Sequence, residues 1–566
     1  MIPELRHLPV LVLGHGISGQ AMARWCVRQG ARVTVADTRD QPEAMQRLAD
    51  SLAALTLPEH PTAEVVCAAM DHALLARQPW ALVCKSPGLS PAQLHAVSGW
   101  ATAHGVPLVG ELDLFAHALR LAHAHTGWAP KVLAITGTNG KTTTTALTGQ
   151  LLARCGWRVA VAGNIGPAML DVLAEAEKNE PNMLPALDGA GVSAIESGQK
   201  SEAGDEPVTP PAAGAHLPQV WVLELSSFQL DGVATGPQGF EPTAATVLNI
   251  TQDHLDWHGD MAHYVAAKQR VYGQQGVRVL NRDDAAVMAA QPPEPLVPKV
   301  GRRAAAPEAT APERQPPAWV SFGTDLPRRP GDWGLEVVNG MTWLVRALPA
   351  DETRQKRRGA QAEEEVVLQR LMPAEALRIR GRHNAANALA ALALATEAGA
   401  PLAPMLYGLR EYRGEPHRVE SVAVLDDVEF FDDSKGTNVG ATLAAIRGLG
   451  AERRLVMIMG GDGKGQDFSP LADAVRAHVQ AVVLIGRDAP ALRAVLAPTG
   501  VPLLDATDLP TAVRLAASHA QPGEAVVMSP ACASLDMFRH YGHRAQVFCD
   551  TVTELATEKG MAGVGE

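Results

Sequence analysis

The residues with the most specific chemistry in this chain form the glycine loop Gly137-Thr-Asn-Gly-Lys-Thr142, which follows the apolar run Lys131–Ile135. In such a loop the backbone N–H groups can surround a triphosphate, Lys141 can neutralise the β and γ oxygens, and Thr142 can hold Mg²⁺. A standard Walker A loop has a glycine at position 135, where this chain has isoleucine. The pattern therefore predicts an ATP-type phosphate loop of a variant kind, with a purely structural glycine turn as the alternative.

Two later apolar runs carry polar residues that could complete a metal and nucleotide site. Glu224 lies within Val222-Leu-Glu-Leu225, and because burying an unpaired carboxylate is costly, a cation partner such as Mg²⁺ is expected, with a salt-bridged core glutamate as the alternative. Asp253 and His254 follow the run that begins at Leu248. Ligands of α/β sheets bind at the carboxyl ends of strands, so both residues are candidates for the same site.

A second glycine turn, Gly14-His-Gly-Ile-Ser-Gly19, lies between the predicted strand Val10–Leu13 and the predicted helix Gln20–Arg28. Asp37 ends the next predicted strand, where a ribose-binding acid is common in dinucleotide-binding folds. Alone, this pattern favours a Rossmann-like domain and permits an NAD(P) oxidoreductase. However, Asp37-Thr-Arg39 could equally bind uracil or ribose. Together with the phosphate loop, it predicts two nucleotides, or one nucleotide and one nucleotide-linked substrate.

Short β-rich runs alternate with Ala/Leu-rich stretches along the chain, which predicts an α/β fold built on mainly parallel sheets. Three domains are predicted at residues 1–120, 121–414 and 415–566, with a hinge at Arg413-Gly-Glu-Pro416. Residues 178–218 and 289–317 are rich in Ala, Pro and charged residues, and are predicted to be flexible insertions, as is the charged run Asp351–Glu365. Examples of the predicted strands are Val10–Leu13, Arg32–Ala36, Lys131–Ile135, Val220–Leu225, Leu455–Met459 and Ala481–Ile485.

Composition narrows the class of protein. The 566 residues carry a net charge of −12, which argues against a nucleic-acid coat or a basic membrane-surface protein. The six cysteines are scattered without a CxxC pair, so neither a disulfide framework nor a cysteine-rich zinc site is expected. We see no secretory pattern and no apolar run long enough to span a membrane, and we expect a soluble, cytoplasmic protein.

Taken together, the motifs resemble those of the Mur ligases of peptidoglycan synthesis, over nearly the whole chain apart from the insertions. The segments that carry the resemblance are Thr136-Gly-Thr-Asn-Gly-Lys-Thr-Thr143, Gly163-Asn-Ile-Gly166, Leu223-Glu-Leu-Ser-Ser-Phe-Gln-Leu230, Asp253-His254, Tyr264-Val-Ala-Ala-Lys268, Gly381-Arg-His-Asn-Ala-Ala-Asn387, Pro416-His-Arg418, Asp433-Ser-Lys-Gly-Thr-Asn438, Gly460-Gly-Asp-Gly-Lys464 and Ser529-Pro-Ala-Cys-Ala-Ser-Leu-Asp536. The family's short glycine loop accounts for the missing glycine at position 135.

The resemblance implies an N-terminal Rossmann-like domain, a central P-loop-type ATPase domain and a C-terminal Rossmann-like domain. It also implies an ATP-dependent amide ligase that adds D-glutamate to UDP-N-acetylmuramoyl-L-alanine through an acyl phosphate, acting as a monomer without nucleic-acid or membrane partners. A sibling ligase that adds L-alanine or a diamino acid is the nearest alternative. Folylpolyglutamate synthase, an oxidoreductase and a non-catalytic nucleotide-binding scaffold are the others.

The resemblance also implies roles for individual residues. ATP is assigned to Gly137, Thr138, Asn139, Gly140, Lys141, Thr142, Thr143, Asn387, Arg418 and Asp433. The UDP-linked substrate is assigned to Gly16, Ser18, Asp37, Thr38, Arg39, Ser86, Asn164 and Ser226. D-glutamate is assigned to Lys435, Thr437, Lys464, Ser534, Leu535 and Tyr541. Support of the phosphates is the alternative role of Lys435, and a close relative has Phe in place of Tyr541.

The chemistry is assigned by the same resemblance to Lys141, Lys268, His254 and Arg418. Two Mg²⁺ ions are implied, with Thr142, Glu224, His254 and Lys268 as the metal residues. Lys268 matches a lysine that reacts with CO₂ to form a carbamate, and a desolvated lysine near cations has the lowered pKa that this reaction needs. The base that takes the proton from the incoming amine stays open between His417 and a carboxylate.

Overall fold

The computed structural model describes residues 2–55, 63–178, 216–293, 317–350 and 365–560. The predicted insertions at 178–218 and 289–317 and the charged run Asp351–Glu365 fall almost entirely outside these described residues. The chain divides into two compact units. The first unit contains Met1–Thr136, Gly156–Ala245 and Asp256–Val277, and the second unit contains Gly137–Cys155, Thr246–Leu255 and Arg278–Glu566.

The N-terminal part of the first unit is a five-stranded sheet in the order β3-β2-β1-β4-β5, with every neighbouring pair parallel. One face of β1 packs Leu11 and Leu13 into a buried cluster with Trp80 and Val97. The elements are β1 (Pro9–Leu13), α1 (Ile17–Arg28), β2 (Arg32–Asp37), α2 (Pro42–Ala53), β3 (Glu64–Cys67), α3 (His72–Leu75), β4 (Leu82–Lys85), α4 (His95–His104), β5 (Leu108–Val109) and α5 (Glu111–Thr126).

The middle of the chain contributes a nine-stranded sheet. Within the first unit β8 pairs in parallel with both β6 and β7, and within the second unit β10 to β12 are parallel, while β13 and β14 are antiparallel additions. The elements are β6 (Lys131–Thr136), α6 (Lys141–Arg154), β7 (Val159–Gly163), α7 (Met169–Lys178), β8 (Val220–Glu224), α8 (Ser227–Leu230), β9 (Ala244–Val247), α9 (Leu255–His258), α10 (Met261–Gln269), β10 (Val277–Asn281), α11 (Ala285–Met288), β11 (Trp319–Phe322), β12 (Trp333–Val338), β13 (Met341–Pro349), β14 (Val366–Pro373), α12 (Arg382–Glu397) and α13 (Leu402–Glu411).

The C-terminal part of the second unit is a six-stranded sheet in the order β15-β16-β20-β17-β18-β19. Only the β15–β16 hairpin is antiparallel among the described pairs of this sheet. Buried side chains line both faces, which explains the continuous apolar run of Leu455–Met459. The elements are β15 (Glu420–Leu425), β16 (Val428–Asp432), α14 (Val439–Gly450), β17 (Leu455–Gly460), α15 (Leu471–His478), β18 (Val479–Ile485), α16 (Ala489–Leu496), β19 (Leu503–Asp505), α17 (Leu509–His519), β20 (Ala525–Met528) and α18 (Tyr541–Glu558).

The predicted α/β class with mainly parallel sheets is confirmed. All six strands named above as examples are present, each within two residues of its predicted ends. The helix predicted at Gln20–Arg28 begins three residues earlier, at Ile17. The domain limits at residues 120 and 414 remain predictions; residue 120 lies inside α5, and residue 414 follows α13. Among the described residues, none of the helices combines the length and apolarity that crossing a membrane requires.

Candidate functional site

The phosphate loop connects β6 to α6 with two glycines in backbone conformations that other residues rarely adopt. Gly137 has φ of 151° and Gly140 has φ of 83°, so the loop turns sharply and α6 begins at Lys141. The Lys141 ammonium donates to the carbonyl oxygens of Gly137 and Thr138, each at 2.8 Å. The lysine therefore lies over the loop itself, where a bound polyphosphate would face it.

Side chains from distant parts of the second unit hold this loop in place. Asn249 accepts from the backbone N–H of Asn139 at 2.9 Å and donates to the Asn139 carbonyl at 3.0 Å. The Thr138 hydroxyl donates to the Thr251 carbonyl at 3.1 Å and accepts from its N–H at 3.0 Å. Asn438 donates to Asn139 Oδ1 at 3.1 Å. The loop conformation is thus fixed by hydrogen bonds before any ligand binds.

Arg418 is brought to the start of α6. Its guanidinium donates to the Thr142 hydroxyl, so two residues assigned to ATP or its metal are in contact. The residues on either side, His417 and Val419, have positive φ values of 65° and 51°. For a β-branched residue such as Val419 this conformation is strained, and strain of this kind is concentrated at functional sites.

Asp433 and Asn387 lie in the same cavity wall as Asn139 and Arg418. Burial raises the pKa of Asp433 to about 7, although the hydrogen bond from Ser529 and the charge of Arg418 act in the opposite direction. The Ser529 hydroxyl donates to Asp433 Oδ2 at 2.7 Å. Asn387 lies against the loop, since a Cβ built on Gly140 would come within 2.7 Å of Asn387 Oδ1.

The residues assigned to D-glutamate lie in the C-terminal part of the second unit, and the structure brings two of them into direct contact. The Lys435 ammonium lies 3.7 Å from the centre of the Tyr541 ring, a cation–π contact. The Thr437 N–H donates to the Lys435 carbonyl at 2.8 Å. Ser534 is buried, whereas Leu535 is 70% exposed and the side chain of Lys464 is exposed. Lys464 and Leu535 are therefore open to solvent at the positions where an incoming ligand is expected.

In the first unit, Glu224 ends β8 as a carboxylate that is only 2% exposed. Asn164 donates to Glu224 Oε1 at 2.7 Å, but Glu224 Oε2 is buried with no hydrogen-bond partner among the described residues. Gly163 permits this approach, since a Cβ there would lie 2.3 Å from the Glu224 carbonyl oxygen. An unpartnered, buried carboxylate oxygen fits a divalent cation, which prefers such oxygen ligands.

Lys268 is also only 2% exposed. Its Nζ lies 3.5 Å from the Thr136 hydroxyl and 4.7 Å from the centre of the Tyr264 ring. His254, in the second unit, has φ of 55°, and its N–H donates to Asp253 Oδ1 at 3.0 Å. Glu224 and Lys268 thus belong to one compact unit, and Thr142 and His254 to the other.

The N-terminal glycine turn is held by Asp37 and Ser86. Asp37 accepts from the His15 N–H at 2.9 Å and from the Arg39 guanidinium at 3.0 and 2.8 Å. Burial opposes ionisation of Asp37, but the hydrogen bonds from Arg39 and from the His15 backbone outweigh it and lower the pKa of Asp37 well below its usual range. The Ser86 hydroxyl donates to the Gly14 carbonyl at 3.3 Å.

The other residues assigned to the UDP-linked substrate differ in their availability. Gly16 and Thr38 are exposed, and Ser18 is half-buried in the first turn of α1. The Ser226 hydroxyl caps α8, where it accepts from the Gln229 N–H at 3.2 Å. Ser226 therefore has a structural use in addition to its assigned one.

Sequence reasoning missed the residues that hold the loop and its neighbours. No role was predicted for Asn249, Thr251 or Asn438, and their position just after a strand or at a helix N-terminus was the available signal. Asp432, which is fully buried at the end of β16, and Ser529 were also overlooked. Their partners lie 15 and 96 residues away, and no local pattern reveals such pairs.

Comparison with known proteins gives matches to one family along most of the chain. Residues 9–110 match the Mur ligase MurD-like N-terminal domain, residues 135–308 the Mur ligase middle domain, and residues 417–532 the Mur ligase glutamate ligase domain. The chain is similar to the UDP-N-acetylmuramoylalanine--D-glutamate ligase of Albidiferax ferrireducens, with 55% identity over 98% of each chain. It is also similar to the ligase of the same name from Burkholderia mallei, with 53% identity over 97% of this chain and 98% of the other.

Among solved structures, the MurF ligase of Thermotoga maritima in complex with ADP is 14% identical and has a TM-score of 0.50, covering 99% of this chain and 98% of its own. At that identity the likeness concerns the fold alone. The three domain matches follow the chain in order, and the two curated relatives cover nearly all of it. The chain belongs to the Mur ligase family.

Proposed function

We propose that this protein is an ATP-dependent ligase that joins D-glutamate to UDP-N-acetylmuramoyl-L-alanine in the synthesis of peptidoglycan precursors. The observation that carries the proposal is the identity of 55% over 98% of both chains with a relative of that name. The arrangement of the second unit supports it, because Lys141, Thr142 and Arg418 form one cationic and hydroxyl-bearing surface at the start of α6.

The first half of the reaction is the activation of a carboxylate. The terminal carboxylate of the UDP-linked substrate attacks the γ-phosphate of ATP, and ADP leaves with the electrons of the broken P–O bond to give the acyl phosphate. Both reactants are negatively charged. Lys141 and Arg418 reduce that repulsion and stabilise the charge that develops on the transferring phosphoryl group. Asn387 and Asp433 are proposed to hold the base and ribose of ATP, which supports the in-line approach.

The metal site fits the residues of the first unit. Glu224 offers a buried oxygen that has no hydrogen-bond partner in the described parts of the chain, and Lys268, once carbamylated, would offer a second anionic group. Bound Mg²⁺ would supply neutralisation of the phosphate charge. Thr142 and His254 remain predicted ligands from the second unit. Replacement of Lys268 by alanine should abolish turnover, and short carboxylates should partly restore it; full activity without them would contradict the carbamate.

The second half of the reaction is attack by the amine of D-glutamate on the acyl phosphate. Lys435 and Lys464 supply positive charge for the two carboxylates of the amino acid, and Thr437 and Ser534 supply hydrogen bonds. Leu535 and Tyr541 line the approach. The site must exclude water at this stage, because water would hydrolyse the acyl phosphate.

The proposal is tested by phosphate release from ATP in the presence of UDP-N-acetylmuramoyl-L-alanine, with D-glutamate, L-glutamate, L-alanine and diaminopimelate as parallel acceptors. We expect release that depends on both substrates, with D-glutamate preferred by at least about 10⁴-fold, the discrimination that a hydrogen-bonding site provides. A preference for L-alanine or diaminopimelate would instead assign the chain to a sibling activity. Cytoplasmic location and a monomeric state remain predictions.

A further inference from the structure

A histidine without an assigned role stands beside the residues proposed to receive the amino acid. His417 Nδ1 lies 2.7 Å from Asp432 Oδ2, and the His417 backbone N–H donates to Glu420 Oε2 at 2.8 Å. The β15–β16 hairpin creates this group, since its register places Glu420 opposite Asp432. Asp432 therefore orients the imidazole, while Glu420 holds the backbone of the same residue.

The partners of Asp432 determine which nitrogen of His417 is available. Asp432 is fully buried, and it also accepts from the Ser434 N–H at 2.9 Å. A carboxylate at hydrogen-bond distance favours a proton on Nδ1, which leaves the lone pair of Nε2 free to accept another. The His417 side chain is 32% exposed, so the ring is accessible to a ligand.

His417 also lies close to both groups of residues that the proposed reaction uses, those of the phosphate loop and those assigned to the amino acid. The next residue, Arg418, contacts Thr142 of the phosphate loop. The His417 carbonyl accepts from the Lys435 N–H at 3.2 Å, and the His417 ring is 6.4 Å from that of Tyr541. A group at this position therefore adjoins residues proposed to bind the phosphates and residues proposed to bind the amino acid.

In a step that rests on the proposed function, we propose that His417, oriented by Asp432, accepts a proton from the ammonium group of D-glutamate and so frees the lone pair that attacks the acyl phosphate. The nitrogen forms the C–N bond with that lone pair, and the C–O bond to the phosphate breaks with its electrons leaving on the phosphate. The first ammonium proton moves to Nε2 and then to solvent, and the second leaves the nitrogen for the departing phosphate or solvent as the amide forms. Other charged or titratable groups near His417 in the described residues are Glu420, Lys435 and Tyr541, with Asp433 next to Asp432 in the chain.

These neighbours are less suited to the same task. Glu420 already accepts the His417 N–H and is exposed to water. Asp433 is buried, accepts from Ser529, and is already assigned to ATP by the proposed function. Lys435 is a cation whose ammonium covers the Tyr541 ring. Only the imidazole combines a fixed orientation with a free acceptor atom among these groups.

The test measures the two halves of the reaction separately in the variant His417→Asn. Asparagine is chosen because it tolerates the positive φ of this position. Exchange of the bridging oxygen of labelled ATP, measured without D-glutamate, should stay within about threefold of wild type, while amide formation should fall by about 100-fold, a usual contribution of general base catalysis. Hydroxylamine, which is largely uncharged at neutral pH, should trap the acyl phosphate as a hydroxamate at nearly the wild-type rate. Asp432→Asn should lose about tenfold in amide formation, and the double variant should be no worse than His417→Asn.

His478→Asn is the matched control, since His478 is a half-buried histidine of the same unit whose Nδ1 contacts the Gly450 carbonyl at 2.9 Å. Unchanged amide formation in His417→Asn would overturn the inference. An equal loss of oxygen exchange, hydroxamate and amide would also overturn it, because His417 would then be structural. If the wild-type protein itself releases no phosphate with D-glutamate, the proposed function fails instead.

Discussion

The two glycine turns of this protein are built alike but held differently. Each follows a parallel strand and opens a helix. The N-terminal turn is fixed by residues close in sequence: His15 and Asp37 are 22 residues apart, and Ser86 and Gly14 are 72 apart. The phosphate loop is fixed by partners 110 and 299 residues away. The first turn is therefore a property of one small sheet, whereas the second depends on most of the chain.

The difference extends to the charges. At the N-terminal turn the anion Asp37 is already satisfied by Arg39, and the pair presents a fixed polar surface. At the phosphate loop the cation Lys141 rests on carbonyl oxygens of the loop, which a polyphosphate can replace as partners. We infer that the first turn recognises a constant part of its ligand, and that the second is arranged for a group that changes during the reaction.

The largest expected effect separates chemistry from folding at the phosphate loop. Lys141→Ala should lower kcat by about 10³-fold, the loss typical for removal of one charge-stabilising group. The melting temperature should change little, because Lys141 is not part of the apolar core. Lys131→Ala, at the exposed start of β6, is the control and should retain activity. Normal turnover in Lys141→Ala would remove the basis for calling this loop catalytic.

The next effect concerns stability at the N-terminal turn. A Cβ at Gly19 would lie 1.9 Å from the Gly14 carbonyl oxygen, whereas a Cβ at Gly16 would have no atom within 4 Å. Gly19→Ala should therefore lower the free energy of unfolding by about 3 kcal/mol, and Gly16→Ala by less than about 0.5 kcal/mol. Urea unfolding of both variants measures the difference. Equal stability of the pair would contradict the close packing of α1 on this turn.

A smaller effect tests the long-range support of the loop. Asn249→Ala removes both hydrogen bonds to the Asn139 backbone, and we expect KM for ATP to rise about tenfold, the equivalent of one to two lost hydrogen bonds. KM for the UDP-linked substrate should not change. Gln252→Ala, in the same segment and exposed, is the control. A similar rise for both substrates would mean that the two turns are not independently supported.

The smallest effect is a pH dependence at the N-terminal turn. The folded pKa of Asp37 lies below its unfolded value of 3.8, so its contribution to stability is present above about pH 4 and is lost as the pH falls further. Wild type should exceed Asp37→Asn by about 1 kcal/mol at pH 6, and the gap should narrow towards pH 3. Asp40→Asn, which is exposed, should show no gap. A stability difference between wild type and Asp37→Asn that grows on acidification would contradict a lowered pKa of Asp37 in the folded protein.

Local sequence patterns were sufficient to predict the strands and the glycine turns. They were insufficient to predict which side chains contact one another across the fold. A continuous apolar run such as Leu455–Met459 predicts a strand that is buried on both faces. The spacing of the glycines predicts both turns. The Thr142–Arg418 contact joins residues 276 apart, and the Asp433–Ser529 contact joins residues 96 apart. Such pairs are decided by how strands are ordered in a sheet, which a single sequence does not encode in any short window. The sequence left the base that accepts the proton open between His417 and a carboxylate. The β15–β16 register, which places Glu420 opposite Asp432, is the observation that favours His417.

The hydrogen bond between Asn438 and Asn139 has a consequence for the newly made chain. The two residues are separated by 299 positions, and a ribosome adding about 5–20 residues per second needs about 15–60 s to travel between them. During that interval the phosphate loop has left the ribosome without the side chain that holds Asn139. We expect the growing polypeptide to remain inactive towards ATP until its last third has been synthesised and folded.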